Sequence, residues 1–388
     1  MVCRIVPRPT LDPPTSRRQL LIDVSVLARH DAGTGVQRVT RELLRELLTS
    51  PPDGYVVRAV RATRWRSYRY IKDPGPSAEV RVEPGDIFLG LDLASRILPR
   101  HRLQLLRWRA NGARICIVMH DLLPLFRPGW FTRRNARAYA SWIRAVAVHA
   151  DSVVCVSQSV AAQFSTWLAD QGFDPRSSPS VGWFHHGAQL PFESGAAIPD
   201  DRIAHIASRP FVLMVGTIEP RKGYQQALDA FELIWRDGHP MQLVIVGRVG
   251  WKVAPLVASL QANVEAGRPL HWFSDADDPT LHALYDKASG VLLASEAEGF
   301  GLPILEAAVH GKPLLIRDLP VFREIAGDAA TYFRAETTGE FIDELRSWLA
   351  NLAAGTAVSS KRIAVQSWAQ SARQMLDQVL PVDPLTLR

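Results

Sequence analysis

The segment SEAEGFGLPILEA (295–307) gathers residue types able to hold a charged, hydroxylated ligand. Gly299 and Gly301, on either side of Phe300, let the backbone come close to a ligand, and the free amides where Leu302 opens a helix make an anion site suited to a diphosphate. Glu298 stands before the turn and Glu306 inside the helix, so both can face one cleft from different depths. Carboxylates repel phosphates but accept hydrogen bonds from sugar hydroxyls, and that is the chemistry this pair suits. In GTIEPRKG (216–223), Arg221 and Lys222 place two adjacent cations at a helix entry. The first half contributes the Gly33-Thr34-Gly35 loop and His120-Asp121, each at the end of an apolar run. Any one of these has an ordinary structural reading, since surface cations are the rule. Their combination points to chemistry.

Such loops need strands and helices to aim them. QLLIDVSVL (19–27) reads as a buried strand, and VQRVTRELLRELL (36–48), beyond the glycine loop, has helical spacing. Apolar runs at 55–60, 86–91, 113–120 and 152–157 then alternate with amphipathic stretches such as 132–149 and 158–169. Pro, Gly and small residues at 191–201 read as a linker. The alternation restarts beyond it, with strands at 211–216, 241–247, 270–273, 290–295 and 313–316 and helices at 222–236, 252–266, 279–288 and from 302. A closing helix is expected over 359–379, with Trp368 and Met375 on its apolar face. Strands alternating with helices predict an α/β fold of two doubly wound parallel sheets, with a ligand crevice at the carboxyl ends of the strands, between the halves. Neither half carries GxGxxG after its first strand, so the fold alone does not imply a dehydrogenase.

Composition agrees with two domains. A chain of 388 residues exceeds what one hydrophobic core supports, and 47% hydrophobic with 22% charged residues is ordinary for a globular protein, which excludes disorder or coiled coil as the main architecture. Cys3, Cys116 and Cys155 form neither a disulfide framework nor a metal pair, and the latter two sit in apolar runs as core residues. The formal charge of +6 conceals an asymmetry: residues 1–190 carry 27 Lys+Arg against 15 Asp+Glu, whereas the remainder carries 18 against 24. The basic half is expected to face something anionic, such as a phospholipid surface, a phosphorylated substrate or nucleic acid. No run approaches the roughly 18 apolar residues of a membrane-spanning helix, and the start, with Pro7, Pro9, Pro13 and Pro14, is unlike a signal peptide. A cytoplasmic location follows as an expectation.

Together, EGFGLPILE (298–306), GTIEPRKG, VSQSV (156–160), the HHG turn (185–187) and FREIAGDAATYF (322–333) resemble glycosyltransferase family 4, retaining enzymes of the GT-B type, over residues 20–380 or so. TGVQRV (34–39) and MHDLLPLFRP (119–128) resemble, within it, the bacterial mannosyltransferases of O-antigen and exopolysaccharide synthesis. The resemblance implies two Rossmann-like domains facing across a cleft. The expected division is a loose tail at 1–18, an acceptor-side domain at 19–195, a nucleotide-sugar domain at 196–358, and a closing segment at 359–388 that packs back towards the first domain.

By position, the resemblance makes Arg221 and Lys222 the cations that neutralise the leaving diphosphate. Glu306 becomes the ribose carboxylate, Glu298 the contact to donor-sugar hydroxyls, and His120 a neighbour of the transferred sugar. Gly33 and Gly35 lie near the phosphates and acceptor, and Gly299, Phe300, Gly301 and Leu302 complete the donor site. The implied reaction needs no cofactor, metal or protein base: the leaving phosphate assists the acceptor hydroxyl, and catalysis is positioning plus charge stabilisation. The implied donor is GDP-mannose, with a UDP-sugar or another nucleotide sugar as alternative, and the acceptor a glycan or polyprenyl-diphosphate-linked glycan. Asp275-Ala276-Asp277 is read as a helix cap, not a metal motif. RATRWRSYRYIK (61–72) and LPRHRLQLLRWRANGAR (98–114) interleave arginine with aromatics, which suits peripheral contact with an anionic membrane at its inner face. An idle GT-B scaffold that binds polysaccharide is the contrasting reading, opposed by the intact charged set, and the acidic second half argues against a specific nucleic-acid partner.

Overall fold

The computed structural model describes residues 17–31, 33–72, 77–188 and 201–381. The linker expected at 191–201 lies outside them except for its last residue, as do Cys3 and nearly all of the N-terminal tail.

The first half supplies β1 (Arg18–Asp23), α1 (Gly35–Thr49), β2 (Tyr55–Arg61), β3 (Arg69–Tyr70), β4 (Ile87–Gly90), α2 (Arg102–Ala110), β5 (Arg114–Met119), α3 (Leu123–Phe126), α4 (Arg133–His149), β6 (Ser152–Cys155), α5 (Gln158–Asp170) and β7 (Ser180–Trp183). Its sheet runs in the order β3-β2-β1-β4-β5-β6-β7, parallel except for the β2–β3 pair. The second half supplies α6 (Asp201–Ala207), β8 (Phe211–Val215), α7 (Tyr224–Arg236), β9 (Gln242–Val246), α8 (Ala254–Glu265), β10 (Leu270–Phe273), α9 (Asp278–Lys287), β11 (Gly290–Leu293), α10 (Leu302–Val309), β12 (Leu314–Arg317), α11 (Pro320–Ala326), β13 (Thr331–Phe333), α12 (Thr338–Ala354) and α13 (Trp368–Val379). Its sheet, β10-β9-β8-β11-β12-β13, is wholly parallel. The strands read as continuous apolar runs because both faces of each sheet are covered: β4, β6, β9 and β11 are buried throughout. Cys116 and Cys155 are free thiols inside this core.

Three boundaries differ from the sequence reading, each for a local reason. The first strand stops at Asp23 rather than residue 27, because Asp92 takes the Val26 and Leu27 amides (2.8 and 2.7 Å) and bends the chain into a turn. The helix expected from 222 starts at Tyr224: Pro220–Lys222 form a separate 3-10 turn, and Gly223 sits at φ +69°, where glycine alone is free of strain. The closing helix is one 3-10 turn (Ser360–Arg362), an extended connection, and then α13, capped by Ser367. The long α12 was missed although Thr337 and Glu340 form a reciprocal capping box at its start.

Helix α13 packs on α1, β6 and β7 of the first sheet, where the Arg114 guanidinium donates to the Val379 carbonyl (3.1 Å). One apolar cluster runs from the first sheet into the second through Phe300, Ile304, Phe322 and Trp368. Among the described residues no helix is long and apolar enough to cross a membrane.

Candidate active site

Strand order in the second sheet reverses between β8 and β11, so the chain leaves these neighbours in opposite directions and opens a crevice at their carboxyl ends. GTIEPRKG follows β8 and SEAEGFG follows β11, and the Glu296 amide donates to the Arg221 carbonyl (2.7 Å), tying the two loops together.

At this junction Glu298 is the hub. Its carboxylate accepts from Arg221 Nη1 and Lys222 Nζ, both at 2.6 Å, and from Ser295 Oγ at 2.8 Å. Arg221 also reaches Glu219 (3.0 Å) and the Ala297 carbonyl (3.3 Å). The side chains of Glu298, Arg221 and Lys222 are at most 16% exposed. Burial alone would raise the Glu298 pKa, but the charges of Arg221 and Lys222 outweigh it and bring the group to about 2. Burial likewise opposes the charge on Arg221, and Glu298 and Glu219 overcome it, so its pKa moves up. Glu298 is thus a fixed anion and Arg221 a fixed cation.

The first domain supplies the opposite wall. His120 follows β5 directly, with Nε2 donating to the Leu91 carbonyl (3.0 Å); burial lowers its pKa, so the ring is neutral at pH 7. Its backbone carbonyl meets Gly299 so closely that no side chain would fit there, and Ser157 Oγ donates to the Gly299 carbonyl (2.9 Å). Asp121 faces Arg221, Glu298 and Lys222 across the gap, its pKa raised by burial. Deeper in, Phe300 packs on His186 (ring centroids 4.5 Å), whose Nδ1 is buried without a partner. Gly301, at φ +112°, begins α10, with Leu302 its first residue and partly buried.

Glu306 lies further along α10. It accepts from the Tyr285 hydroxyl (2.7 Å) and pairs with Arg38, which reaches over from α1. The two glutamates therefore have separate partner sets. Gly33 is at φ +64°, beside Arg248, and Gly35 opens α1 with free space around its Cα; among the described residues neither joins the Glu298 cluster. Asp277 caps α9 through the Thr280 amide (2.9 Å). Among the described residues no group of three or more His, Cys, Asp or Glu could hold a metal ion.

Sequence reasoning passed over several members. Glu219 and Asp121 lay inside quoted motifs but were given no role, and Ser295 closes the strand run before Glu298. Arg38 and Ser157 also lay inside motifs, but their contacts, like that of Tyr285, span 268, 142 and 21 residues, and no local pattern reveals those partners.

Residues 200–362 match the family model described as glycosyl transferases group 1, and this stretch contains GTIEPRKG, Glu298 and Glu306. The second domain belongs to the group 1 glycosyltransferases. It is 38% identical over 382 residues to the serotype-specific mannosyltransferase WbdA of Escherichia coli, an alignment covering 95% of this chain and 46% of that protein. The chain thus spans about half the length of the curated relatives it matches. Its fold is GT-B: it superimposes on sucrose-phosphate synthase of Thermosynechococcus elongatus (TM-score 0.63, 14% identity, 94% of this chain and 95% of that one). HepE of Anabaena, solved with UDP-glucose, is similar in shape as well (TM-score 0.60, 16% identity, 93% and 95%). Within this family of transferases, the second domain is the one that the family model covers.

Proposed function

We propose that this group 1 glycosyltransferase is a retaining mannosyltransferase that moves mannose from GDP-mannose onto a glycan or lipid-linked acceptor in bacterial surface polysaccharide synthesis. One observation carries the site reading: two cations held 2.6 Å from a buried glutamate where the second sheet reverses its strand order. The identity to a relative named as a mannosyltransferase supports the sugar.

The charges suggest how the site works. Arg221 and Lys222 are shared with Glu298, so a donor diphosphate competes for the same cations. Binding would transfer them to the phosphates and release Glu298 to accept from the sugar hydroxyls. As the glycosidic bond breaks, negative charge builds on the leaving phosphate, against two preorganised cations in a water-poor cleft. The acceptor hydroxyl forms the new bond on the same face and its proton goes to the departing phosphate oxygen. His120, neutral and with Nε2 committed to Leu91, lines the sugar side. Glu306 would give up Arg38 to take the ribose hydroxyls, which couples donor binding to the contact between domains.

The exposed Trp65, flanked by Arg64 and Arg100 over its ring (5.7 and 5.6 Å), supports the further reading that the first domain touches an anionic membrane.

Thermal shifts with GDP, UDP, ADP, TDP and their sugars test the donor. A ligand at about a hundred times its dissociation constant adds about 2.7 kcal/mol, a clear rise in Tm. A selective GDP shift is expected; a UDP shift would replace the donor, and no shift with any nucleotide would sink the transferase reading in favour of a binding scaffold.

A further inference from the structure

Residues 93–150 hold eleven arginines and one carboxylate, Asp121, which belongs to the cleft. Helices α2 and α4, which pack on each other, have no acidic residue between them. A groove of about 460 Å³ runs along them, lined by Pro99, Arg102, Arg137, Arg144, Val148 and His149 among others. All three arginines are exposed, and among the described residues none has a hydrogen bond or a carboxylate partner. The His149 Nδ1 is buried without a hydrogen bond; burial, then the charges of Arg102 and Arg109, lower its pKa, so it adds a neutral ring and not a fourth cation. The basic face continues to Arg96, which lies near enough to Arg134 and Arg64 for their charges to oppose its own.

A second arginine-lined pocket shows how this protein otherwise handles such crowding. Arg323 and Arg334 both pair with Asp318 there, at 2.7 and 2.6 Å. The α2–α4 groove has no such counter-charge, so its cations are free for an external anion. Guanidinium groups bind phosphate oxygens by paired hydrogen bonds. The apolar surface of these helices separates a lipid from a soluble anion: Val148 in the groove and Leu103 and Leu106 on α2 are 56%, 64% and 40% exposed, and Trp65, beneath Arg100, is 83% exposed. Exposed apolar side chains on the helices that carry three unpaired cations fit a phosphate that carries acyl chains.

We infer that the α2–α4 groove is a binding site for the phosphate head groups of an anionic lipid surface, with Leu103, Leu106 and Val148 seated among the acyl chains. This rests on the membrane reading above and gives it a location; it is independent of the sugar donor. Docked so, the protein would hold one face of its first domain to the bilayer and leave the second domain outside it.

Flotation of the full chain with phosphatidylcholine vesicles, with and without phosphatidylglycerol, tests the site against a variant carrying Arg102→Gln, Arg137→Gln and Arg144→Gln. A control carries Arg176→Gln, Arg268→Gln and Arg373→Gln, the same charge removed from exposed positions elsewhere. The wild type and the control should float only with anionic vesicles, and the groove variant should lose partitioning by about two orders of magnitude at unchanged Tm. Equal partitioning of the groove variant would overturn the site while leaving membrane contact through Trp65 standing. Failure of the wild type to bind anionic vesicles would overturn both. Release of bound protein by millimolar inorganic phosphate would make the groove a free-anion site and refute the lipid assignment.

Discussion

Asp23 and Glu298 are both buried carboxylates at the carboxyl ends of strands beside the point where their sheets reverse order, and their surroundings treat them in opposite ways. Asp23 accepts from Ser25 (amide 2.9 Å, hydroxyl 2.5 Å) and Tyr68 (hydroxyl 2.8 Å), all neutral donors, with Asp92 as a like-charged neighbour. Burial dominates, and its pKa rises to about 7. Glu298, whose side chain is 8% exposed, has Arg221 and Lys222 at 2.6 Å, and its pKa falls to about 2. Different partners thus give one carboxyl that shapes a loop and another that is a permanent anion holding two cations in place. The first sheet uses its reversal point to brace the turn at 24–29, and the second uses its own to gather charge.

The largest effect should come from breaking the charged side of this contrast. Lys222→Ala or Arg221→Ala is expected to lower the proposed mannosyl transfer by orders of magnitude with the fold intact, because charge on the leaving phosphate goes unpaired. Single-turnover rates check this, and near-normal turnover would remove the assigned role. Stability against pH sharpens the comparison, since the two carboxylates must slope in opposite directions. The depressed Glu298 stabilises the fold at neutral pH, on the order of 3 kcal/mol, and loses this as pH falls from about 4.5 towards 2. Glu298→Gln should therefore be destabilised at pH 7, by an amount that shrinks in acid. Asp23 has its pKa raised on folding, so its contribution is complete below about 4 and is lost as pH rises towards 7. Asp23→Asn should gain on the wild type between pH 5 and pH 8, by less, since its hydroxyl partners remain. Urea titrations at four pH values test both, and slopes of the same sign would contradict the stated environments.

Much of this was legible in the sequence because doubly wound sheets write themselves as apolar runs separated by amphipathic helices. The two second-half loops can be placed side by side from the strand pattern alone, since strands that flank a reversal end together. Unreadable were the partners that distance hides. Arg38 reaches Glu306 from 268 residues away, and Ser157 reaches Gly299 from 142. Glu324 on α11 holds the Gln158 and Ser159 amides of the other domain (2.7 and 2.8 Å) and His185 (2.7 Å), a junction whose members lie in three of the motifs but whose pairing no local spacing reveals. Asp23 was invisible for another reason: it stands in the middle of QLLIDVSVL, which reads as one buried strand, and only Ser25 and Tyr68 show how its carboxyl is held there. The break within the closing segment escaped because Ser367, which caps α13, lies in the middle of the helix that periodicity suggested.

Calorimetric titration of GDP-mannose into the wild type and into Lys222→Ala is the most direct test of whether the cation pair beside Glu298 holds a donor diphosphate. Saturable binding to the wild type, weakened at least about tenfold in the variant, is the expected result, since one lost charge-assisted contact costs about 1.4 kcal/mol or more. No binding to the wild type, or equal binding to both, would show that Arg221 and Lys222 serve only to bury Glu298.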